Sequence, residues 1–199
     1  MSNTLQPLSD HWRNRYLLMR HGHSQANQQG VIVSSPERGI ENFGLSTYGE
    51  QQLAQLVADW QWPAPTRVVH SDFLRTTQTA ARVAAKFGLA PSVDARLRER
   101  NFGDQEGLED KHYPSIWALD AENADHQRHG VEAVSMVAQR MQAVIADWEQ
   151  KVSGETILLV SHGDPLQILL TALAGKPLTT HREQTPLAPA SITLYGYGV

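Results

Sequence analysis

The chain has 199 residues, a formal net charge of −4 at pH 7, and 41% hydrophobic and 19% charged residues. This length and composition favour one globular domain, and the negative charge gives no general reason to expect binding to nucleic acids or anionic membranes. The chain contains no cysteine, which excludes disulfides and thiolate metal sites, and it has no apolar run near the roughly 18 residues of a membrane span.

These properties predict a cytoplasmic protein with an N-terminal arm over residues 1–14 and a single domain over residues 15–199. The polar arm either moves freely or docks across the domain, and its sequence does not decide between the two. No apolar stripe stands clear of what the core needs, so the sequence leaves the oligomeric state open.

Short apolar runs alternate along the chain with longer segments of helical period, which is typical of an α/β fold. Three runs are short, largely apolar and partly β-branched, so we predict buried strands at residues 16–19, 67–70 and 156–160. Residues 191–195 alternate between apolar and polar side chains, which predicts a strand with one more exposed face.

Two helices are predicted in the first half of the chain. Apolar residues recur at helical spacing over residues 53–60, after a possible capping box formed by Thr47 and Glu50. A second helix is predicted to begin at residue 71 or 72 and to run to residue 87. Gly88 is placed to end it, because glycine readily adopts the left-handed conformation of a helix C-cap.

Two further helices are predicted in the second half. An apolar stripe over residues 134–148 marks the first of them. The other is predicted to open at Asp164 and Pro165, where aspartate can cap and proline suits the first helical position, and to end near Gly175. Residues 107–130 have weak periodicity, which predicts an irregular or short-helical excursion over one face.

Two predicted strands end in the same way, each followed at once by a histidine and a glycine. The pairs are His21–Gly22 and His162–Gly163. Sites in α/β sheets form at the carboxyl ends of strands, and glycine lets the backbone turn tightly beside a ligand. Either pair alone is as well explained by an ordinary turn, but two pairs together favour a site.

Two arginines are placed to bind an anion near these strand ends. Arg20 precedes His21, and Arg75 lies just inside the helix that follows the strand at residues 67–70. Arginine presents a planar fork of donors to phosphate and stays charged, whereas most arginines only solvate a surface or pair with a carboxylate. Their location favours phosphate binding.

Two other patterns lie near these residues. His21 and His23 share one side of an extended chain, but residues 24–27 supply no third ligand, so we predict neither a metal site nor a cofactor. The polar stretch at residues 97–107 is either a solvated loop or the source of a proton-transferring carboxylate. Pattern alone does not choose between Glu99, Asp104 and Glu106.

At this point the sequence resembles the histidine phosphatase superfamily, which includes the phosphoglycerate mutases and many phosphatases. The opening motif, Arg-His-Gly-His-Ser-Gln-Ala-Asn at residues 20–27, is similar to the family signature. Further blocks follow in the family's order, at residues 45–54, 71–80, 97–107, 130–140 and 161–163. The resemblance implies a three-layer, phosphoglycerate mutase-like α/β sandwich with a mostly parallel central sheet and helices on both faces.

The resemblance also implies roles for individual residues. His21 would be the nucleophile that becomes phosphohistidine, and Glu99 would donate a proton to the leaving group. Three side chains would hold the transferring phosphoryl group, namely Arg20, Arg75 and His162. Three further residues would line the substrate pocket, namely Ser24, Asn27 and Gly163.

Some positions depart from the family pattern. Many members have glutamate or glutamine in place of His23, an aromatic residue in place of Ala26, and a polar residue in place of Pro189. The stretch at residues 107–130 is short compared with the insertion of the glycolytic mutases. A mutase must retain and reorient its product whereas a phosphatase must admit water, so the short stretch favours the phosphatase branch.

The leading hypothesis is therefore a metal-independent phosphatase that hydrolyses a phosphomonoester. The alternatives are a cofactor-dependent phosphoglycerate mutase and a non-catalytic module that binds phosphorylated ligands. The expected substrate is a small phosphorylated metabolite, such as a sugar phosphate, a nucleotide or a cofactor precursor like ribazole phosphate; a protein carrying phosphohistidine is a weaker candidate. Five side chains in the 107–130 stretch are either substrate contacts or, more simply, surface and packing residues: His112, Tyr113, Trp117, His126 and His129.

Overall fold

The computed structural model describes residues 12–198, which contain a central sheet of five strands. The order across the sheet is β3-β2-β4-β1-β5, with β5 antiparallel to β1 and the other pairs parallel. The predicted mostly parallel sheet is confirmed, and the two-residue β3 was not predicted. The strands are β1 (Arg15–Arg20), β2 (Arg67–His70), β3 (Ser92–Val93), β4 (Thr156–Ser161) and β5 (Ile192–Gly196).

Seven α-helices connect the strands in the described part of the chain. Four of them, α3, α4, α6 and α7, correspond to the predicted helical segments. The bounds are α1 (Gln25–Gln29), α2 (Pro36–Gly39), α3 (Thr47–Ala58), α4 (Leu74–Phe87), α5 (Tyr113–Glu122), α6 (Val134–Lys151) and α7 (Gly163–Leu173). No helix of residues 12–198 is both long and apolar enough to cross a membrane.

The side chains of β1 and β4 alternate between two hydrophobic layers, because successive residues of a strand point to opposite faces. One face, carrying Leu18 and Leu159, packs against α6 and α7. The other face, carrying Leu17 and Leu158, packs against α4 and the buried Leu53 of α3. The sheet is therefore covered on both faces, which confirms the predicted three-layer sandwich.

The cap of α3 differs from the prediction. Ser46, not Thr47, is the N-cap residue, and its Oγ accepts a hydrogen bond from the Gly49 amide at 3.0 Å. Glu50 instead forms a surface ion pair with Arg82. The predicted capping box of Thr47 and Glu50 is therefore wrong, and the N-cap lies one residue earlier, at Ser46.

The starts of α4 and α7 also differ from the prediction. Helix α4 begins at Leu74, because Asp72 pairs with Arg98 instead of opening the helix. Helix α7 begins at Gly163 with His162 as its N-cap, and Asp164 is a buried member of its first turn. The predicted end of α4 is confirmed: Gly88 has φ of +64° and caps the helix in the left-handed conformation.

The last residues of the predicted arm pack onto the domain. The ring of Trp12 lies edge-on to the ring of Tyr195, with centroids 5.0 Å apart. The buried Asn14 donates hydrogen bonds from its amide to Glu149 Oε1 at 3.0 Å and to the Val152 carbonyl at 3.1 Å. Residues 1–11 lie outside the described residues, and the division into arm and domain stays a prediction.

Residues 107–130 form the predicted short-helical excursion, which contains α5 and two short 3₁₀ turns. A buried ionic cluster fixes this excursion to the domain. The fully buried Arg100 donates to both carboxylate oxygens of Asp120 at 2.7 and 2.8 Å and to Asp164 at 3.3 Å. His126 Nε2 lies 2.7 Å from Asp120 Oδ1. This arrangement holds α5 above a cavity at the carboxyl ends of the central strands.

Candidate active site

A cavity of about 230 Å³ opens at the carboxyl ends of β1 and β4. Its wall includes seven of the eight residues that the sequence suggested, namely Arg20, His21, Ser24, Asn27, Arg75, Glu99 and Gly163. The eighth, His162, lies beside the cavity, with its ring centroid 5.3 Å from that of His21. The fold thus brings together residues that are up to 143 positions apart in the chain (163 minus 20).

His21 follows the last residue of β1 and is buried. Its Nδ1 donates a hydrogen bond to the Gly22 carbonyl at 2.7 Å, which leaves Nε2 without a proton. Burial, together with the positive charges of Arg75 and Arg20, holds the pKa of His21 well below its usual value. The imidazole is therefore neutral at pH 7, with a lone pair on Nε2.

Arg75, in the first turn of α4, faces this lone pair. Its Nε donates to His21 Nε2 at 3.1 Å, and its Nη2 donates to the Val33 carbonyl at 2.9 Å. Its Nη1 is buried and has no hydrogen-bond partner among the described residues. A buried donor without a partner is costly, so this N–H group is suited to an anionic ligand.

Arg20 provides a second buried donor of this kind. Its Nη1 donates to the Leu187 carbonyl, whereas its Nε has no partner in residues 12–198. A Cβ atom at position 163 would lie 3.3 Å from both Nε and Cζ of Arg20, so glycine there allows the close approach. Helix α7 also begins at Gly163, and the N-terminus of a helix favours an anion.

His162 is buried, and its two ring nitrogens have different surroundings. Nε2 lies 3.0 Å from Ser71 Oγ, whereas Nδ1 lies 3.8 Å from Glu99 Oε2 and has no described hydrogen-bond partner. Burial and the charge of Arg75 hold the pKa of His162 well below its usual value, so the ring carries one proton. We assign that proton to Nδ1, with the Ser71 hydroxyl donating to Nε2.

Glu99 is the acidic residue with an unusual protonation state. Burial raises its pKa to about 7, although the nearby Arg75 opposes that rise. The carboxyl group lies 3.7 Å from Arg75 Nη2, and its Oε1 accepts a hydrogen bond from the Arg100 amide at 2.9 Å. Near neutral pH this group can therefore both give and take a proton.

The structure places the three acids that the sequence pattern left open in different surroundings. Only Glu99 among them lines the cavity. Asp104 is exposed, and Glu106 accepts hydrogen bonds from the amides of Ser34 and Ser35 at 2.8 and 3.1 Å.

Ser24 and Asn27 form the N-terminal cap of α1 at the edge of the cavity. Asn27 Oδ1 accepts from the Ser24 amide at 3.0 Å, and Ser24 Oγ accepts from the Asn27 amide at 3.2 Å. The side-chain nitrogen of Asn27, Nδ2, makes no hydrogen bond within the described part of the chain, in contrast to Oδ1. Its N–H groups are therefore available to a ligand.

His23 turns away from the cavity. Its Nδ1 lies 2.7 Å from Ser46 Oγ, and its ring packs edge-on to Tyr48. His23 is thus a contact to the start of α3, and not a part of the cavity wall that could affect substrate choice directly. Residues 12–198 contain no group of three or more His, Cys, Asp or Glu side chains that could hold a metal ion; the independence from metal stays a prediction.

Of the five uncertain side chains in the 107–130 stretch, Tyr113 and Trp117 line the cavity, and Tyr113 also packs against a core cluster; a contact of either with a substrate stays a prediction. Their rings are stacked, with centroids 5.2 Å apart. His126 belongs to the buried cluster of Asp120, and neither His112 nor His129 lines the cavity. Sequence reasoning missed three charged residues of the cavity wall. Asp110 and Arg182 lie in segments without a motif, and Asp164, which directly follows His162 and Gly163, was predicted only as the start of a helix.

The fold and site together define an α/β protein with a cavity at one edge of its sheet. The cavity is lined by the neutral His21, by Arg20 and Arg75 and by the carboxyl group of Glu99, and the neutral His162 lies beside it. Comparison with known proteins identifies the class more closely. The family model of the histidine phosphatase superfamily (branch 1) matches residues 16–198. The chain therefore belongs to the histidine phosphatase superfamily, which confirms the resemblance and the predicted class of enzyme.

Relatives within this family carry two kinds of name. The protein named "Probable phosphoglycerate mutase GpmB" of Enterobacter sp. (strain 638) is 32% identical over 173 residues, which cover 83% of this chain and 77% of the relative. Glucosyl-3-phosphoglycerate phosphatase of Mycolicibacterium vanbaalenii is 29% identical over 178 residues, covering 82% and 76%. The solved structure of the mycobacterial glucosyl-3-phosphoglycerate phosphatase with VO3 has a TM-score of 0.75 and 28% identity, covering 90% of this chain and 91% of that one.

Proposed function

We propose that this protein is a phosphatase that hydrolyses a small phosphomonoester through a phosphohistidine intermediate on His21. One observation carries the proposal. Two buried donors without a partner among the described residues, Arg20 Nε and Arg75 Nη1, belong to side chains that line one cavity together with the neutral His21 and with Glu99, whose pKa is about 7. Such donors are suited to phosphate oxygens, and the other two groups are suited to nucleophilic attack and proton transfer.

In the first step, the phosphate of the substrate displaces the Nε–H group of Arg75 from His21 Nε2, and Arg75 stays beside the phosphate. The bond from Nε2 to phosphorus forms while the bond from phosphorus to the leaving oxygen breaks. Glu99 gives its proton to that oxygen, which leaves as an alcohol. Arg20, Arg75 and the Nδ1–H group of His162 stabilise the negative charge on the equatorial oxygens.

In the second step, a water molecule enters the position of the leaving group. Glu99, now ionised, takes a proton from the water as its oxygen attacks phosphorus and the bond from phosphorus to Nε2 breaks. Inorganic phosphate leaves, and both His21 and Glu99 return to their starting states. Arg20 and Arg75 supply the positive charge that metal ions supply at other phosphoryl-transfer sites, so the proposed reaction needs no metal ion.

The same geometry would serve a phosphoglycerate mutase, and the name of one relative keeps that alternative open. The short excursion at residues 107–130 and the relatives named as phosphatases support hydrolysis. A mutase would interconvert phosphoglycerate isomers in the presence of a bisphosphorylated primer. Conversion of a phosphoglycerate to glycerate and phosphate, without the other isomer, is the result that favours the phosphatase.

Trapping of the phosphorylated protein tests the proposed reaction directly. The purified protein is mixed with an aryl phosphate and quenched in alkali, where phosphohistidine persists and phosphoserine esters are distinguished from it. We expect phosphate on the peptide that contains His21, together with repeated turnover. Turnover without a phosphorylated peptide, or binding of phosphate without turnover, would contradict the proposal; the latter result is the signature of a non-catalytic module.

The contact between Ser71 and His162 leads to a smaller expected effect. In Ser71→Ala, the His162 ring loses the donor to Nε2, so the tautomer with the proton on Nδ1 is no longer favoured. We expect the affinity for inorganic phosphate to fall by about 2- to 10-fold, the range for one neutral hydrogen bond. Nitrogen NMR of labelled histidine should show a change in the His162 tautomer, and an unchanged tautomer would contradict the assignment.

A further inference from the structure

A third arginine, Arg182, lines the same cavity but has no role in the proposed reaction. It lies in the irregular segment between α7 and β5, and its side chain is 21% exposed. No sequence motif marks it. The arrangement around Arg182 nevertheless differs from that of an ordinary surface arginine.

Three contacts hold the guanidinium group in place. Its Nη1 donates to Gln167 Oε1 at 2.6 Å and to Asp164 Oδ1 at 3.3 Å. Its Cζ lies 3.7 Å from the centroid of the Trp117 ring, which is itself stacked on Tyr113. A side chain fixed in this way loses little further entropy when a ligand binds to it.

The remaining donors of Arg182 are free to bind a ligand. Neither Nε nor Nη2 forms a hydrogen bond with any residue between 12 and 198. Neither atom is fully buried, so a ligand can reach them. The planar guanidinium fork presents such donors together, in the geometry that matches a carboxylate or a phosphate.

The charge of Arg182 is also incompletely neutralised. Asp164, its one acidic partner among residues 12–198, is shared with Arg100 at 3.3 Å and lies 3.5 Å from His181 Nε2. Asp110 also belongs to the cavity wall, but it is exposed and forms no ion pair with Arg182. The positive charge of Arg182 is felt at the phosphate site, because the pKa of Arg20 is lowered by burial and also by Arg182.

We propose that Arg182 binds a second anionic group of the substrate, either a carboxylate or a second phosphate, while Arg20 and Arg75 bind the phosphate that is transferred. The protein would then select phosphomonoesters that carry a second negative group over esters of similar size that carry a neutral one. This inference rests on the proposed phosphatase function and adds the substrate class to it.

Three compounds of similar size test the inference: glycerol 3-phosphate, 3-phosphoglycerate and glycerol 1,3-bisphosphate. For the wild type, we expect kcat/KM for at least one doubly anionic compound to exceed that for glycerol 3-phosphate. In Arg182→Met the ratio should fall by about 10- to 100-fold, the range for one charge-assisted pair. Arg182→Lys, which keeps the charge but not the fork, should restore part of it. The two doubly anionic compounds show whether a carboxylate or a phosphate is preferred.

The matched control is Arg128→Met, which removes the same charge from an exposed arginine outside the cavity; its ratio should equal that of the wild type. The inference is overturned if the wild type shows no preference for a second anion. It is also overturned if Arg182→Met lowers kcat/KM for all three compounds by the same factor, because Arg182 would then serve the transferred phosphate or the fold.

Failure of the inference can be told apart from failure of the proposed function. Hydrolysis of all three compounds at equal rates would overturn the role of Arg182 and leave the phosphatase intact. If the wild type hydrolyses none of them, calorimetry of the same compounds with wild type and Arg182→Met still measures the ratio of affinities. A ratio that falls in the variant supports the second anion site, and an unchanged ratio overturns it.

Discussion

His21→Ala should lower kcat for the hydrolysis of an aryl phosphate by at least about 10⁴-fold, because removing a nucleophile removes the whole covalent route. The Nε2 atom of His21 is the unprotonated nitrogen at the cavity, since Nδ1 donates to the Gly22 carbonyl. The other neutral histidine beside the cavity, His162, has its unprotonated Nε2 in contact with Ser71 Oγ at 3.0 Å, so that nitrogen is not free to attack. Release of the phenol by the purified variant, followed in a spectrophotometer, measures the loss.

His23→Ala is the matched control for this experiment, because His23 is two residues away and contacts Ser46 outside the cavity. Its kcat should stay within a few fold of the wild-type value. Calorimetry should still detect binding of inorganic phosphate to His21→Ala, since Arg20 and Arg75 remain. Hydrolysis by His21→Ala within 10-fold of the wild-type rate would refute the phosphohistidine route.

Glu99→Gln should lower kcat by about 10²- to 10⁴-fold, the usual range for loss of a general acid or base. The size of the effect on each step depends on the leaving group. A nitrophenolate leaves without a proton, so its first turnover should be fast and the second step slow, which gives a burst of product equal to the enzyme concentration. An alkyl phosphate needs the proton, so it should show no burst and a larger loss.

The pH dependence follows from the raised pKa of Glu99, about 7 in the folded protein. Above pH 7 the carboxyl group is ionised and cannot protonate an alkoxide, so kcat/KM for an alkyl phosphate should fall as the pH rises through 7. Glutamine has no such titration, and the fall should be absent in Glu99→Gln. A variant that keeps the wild-type rate and profile would exclude Glu99 as the proton donor.

Stability measurements show whether Glu99→Gln loses activity because it unfolds. Because the folded protein raises the pKa of Glu99 above the unfolded value of 4.5, this group's contribution to stability is full below pH 4.5 and is lost as the pH rises through 7. Glu99→Gln should therefore have a Tm at pH 8 at least equal to that of the wild type. Asp104→Asn, a change at an exposed acid outside the cavity, is the matched control and should leave both rate and profile unchanged.

Much of the sheet could be predicted because its strands are short, buried and apolar. The three core strands were found from this signal alone, whereas β3 has two exposed residues and gives no such signal. Helix starts were less predictable, because several residues compete for each cap. Ser46 caps α3 because its Oγ accepts a hydrogen bond from the Gly49 amide. Asp164 does not cap α7, because its carboxylate pairs with Arg100.

Some residues of the candidate site could likewise be predicted from the sequence, and others could not. His21 and His162 could be found because each follows a strand directly, and strand ends of a parallel sheet converge at one edge. Glu99 could not be chosen from pattern, since its distinction from Asp104 is burial, which depends on the packing of distant segments. No sequence pattern marks Arg182 as a site residue, because its position beside Trp117 depends on tertiary contacts.

The position of Arg100 has a consequence for attempts to redesign substrate preference. This residue follows Glu99 directly in the chain and holds α5 through Asp120, so two adjacent residues connect the carboxyl group at the cavity to the helix above it. A mutant library should therefore leave Arg100 and Asp120 unchanged, since breaking a buried ion pair costs about 3–5 kcal/mol. Positions 113 and 117 lie on the cavity side of the same helix, and substitutions there change the pocket together with the contacts of Tyr113 to Phe102 and of Trp117 to Arg182.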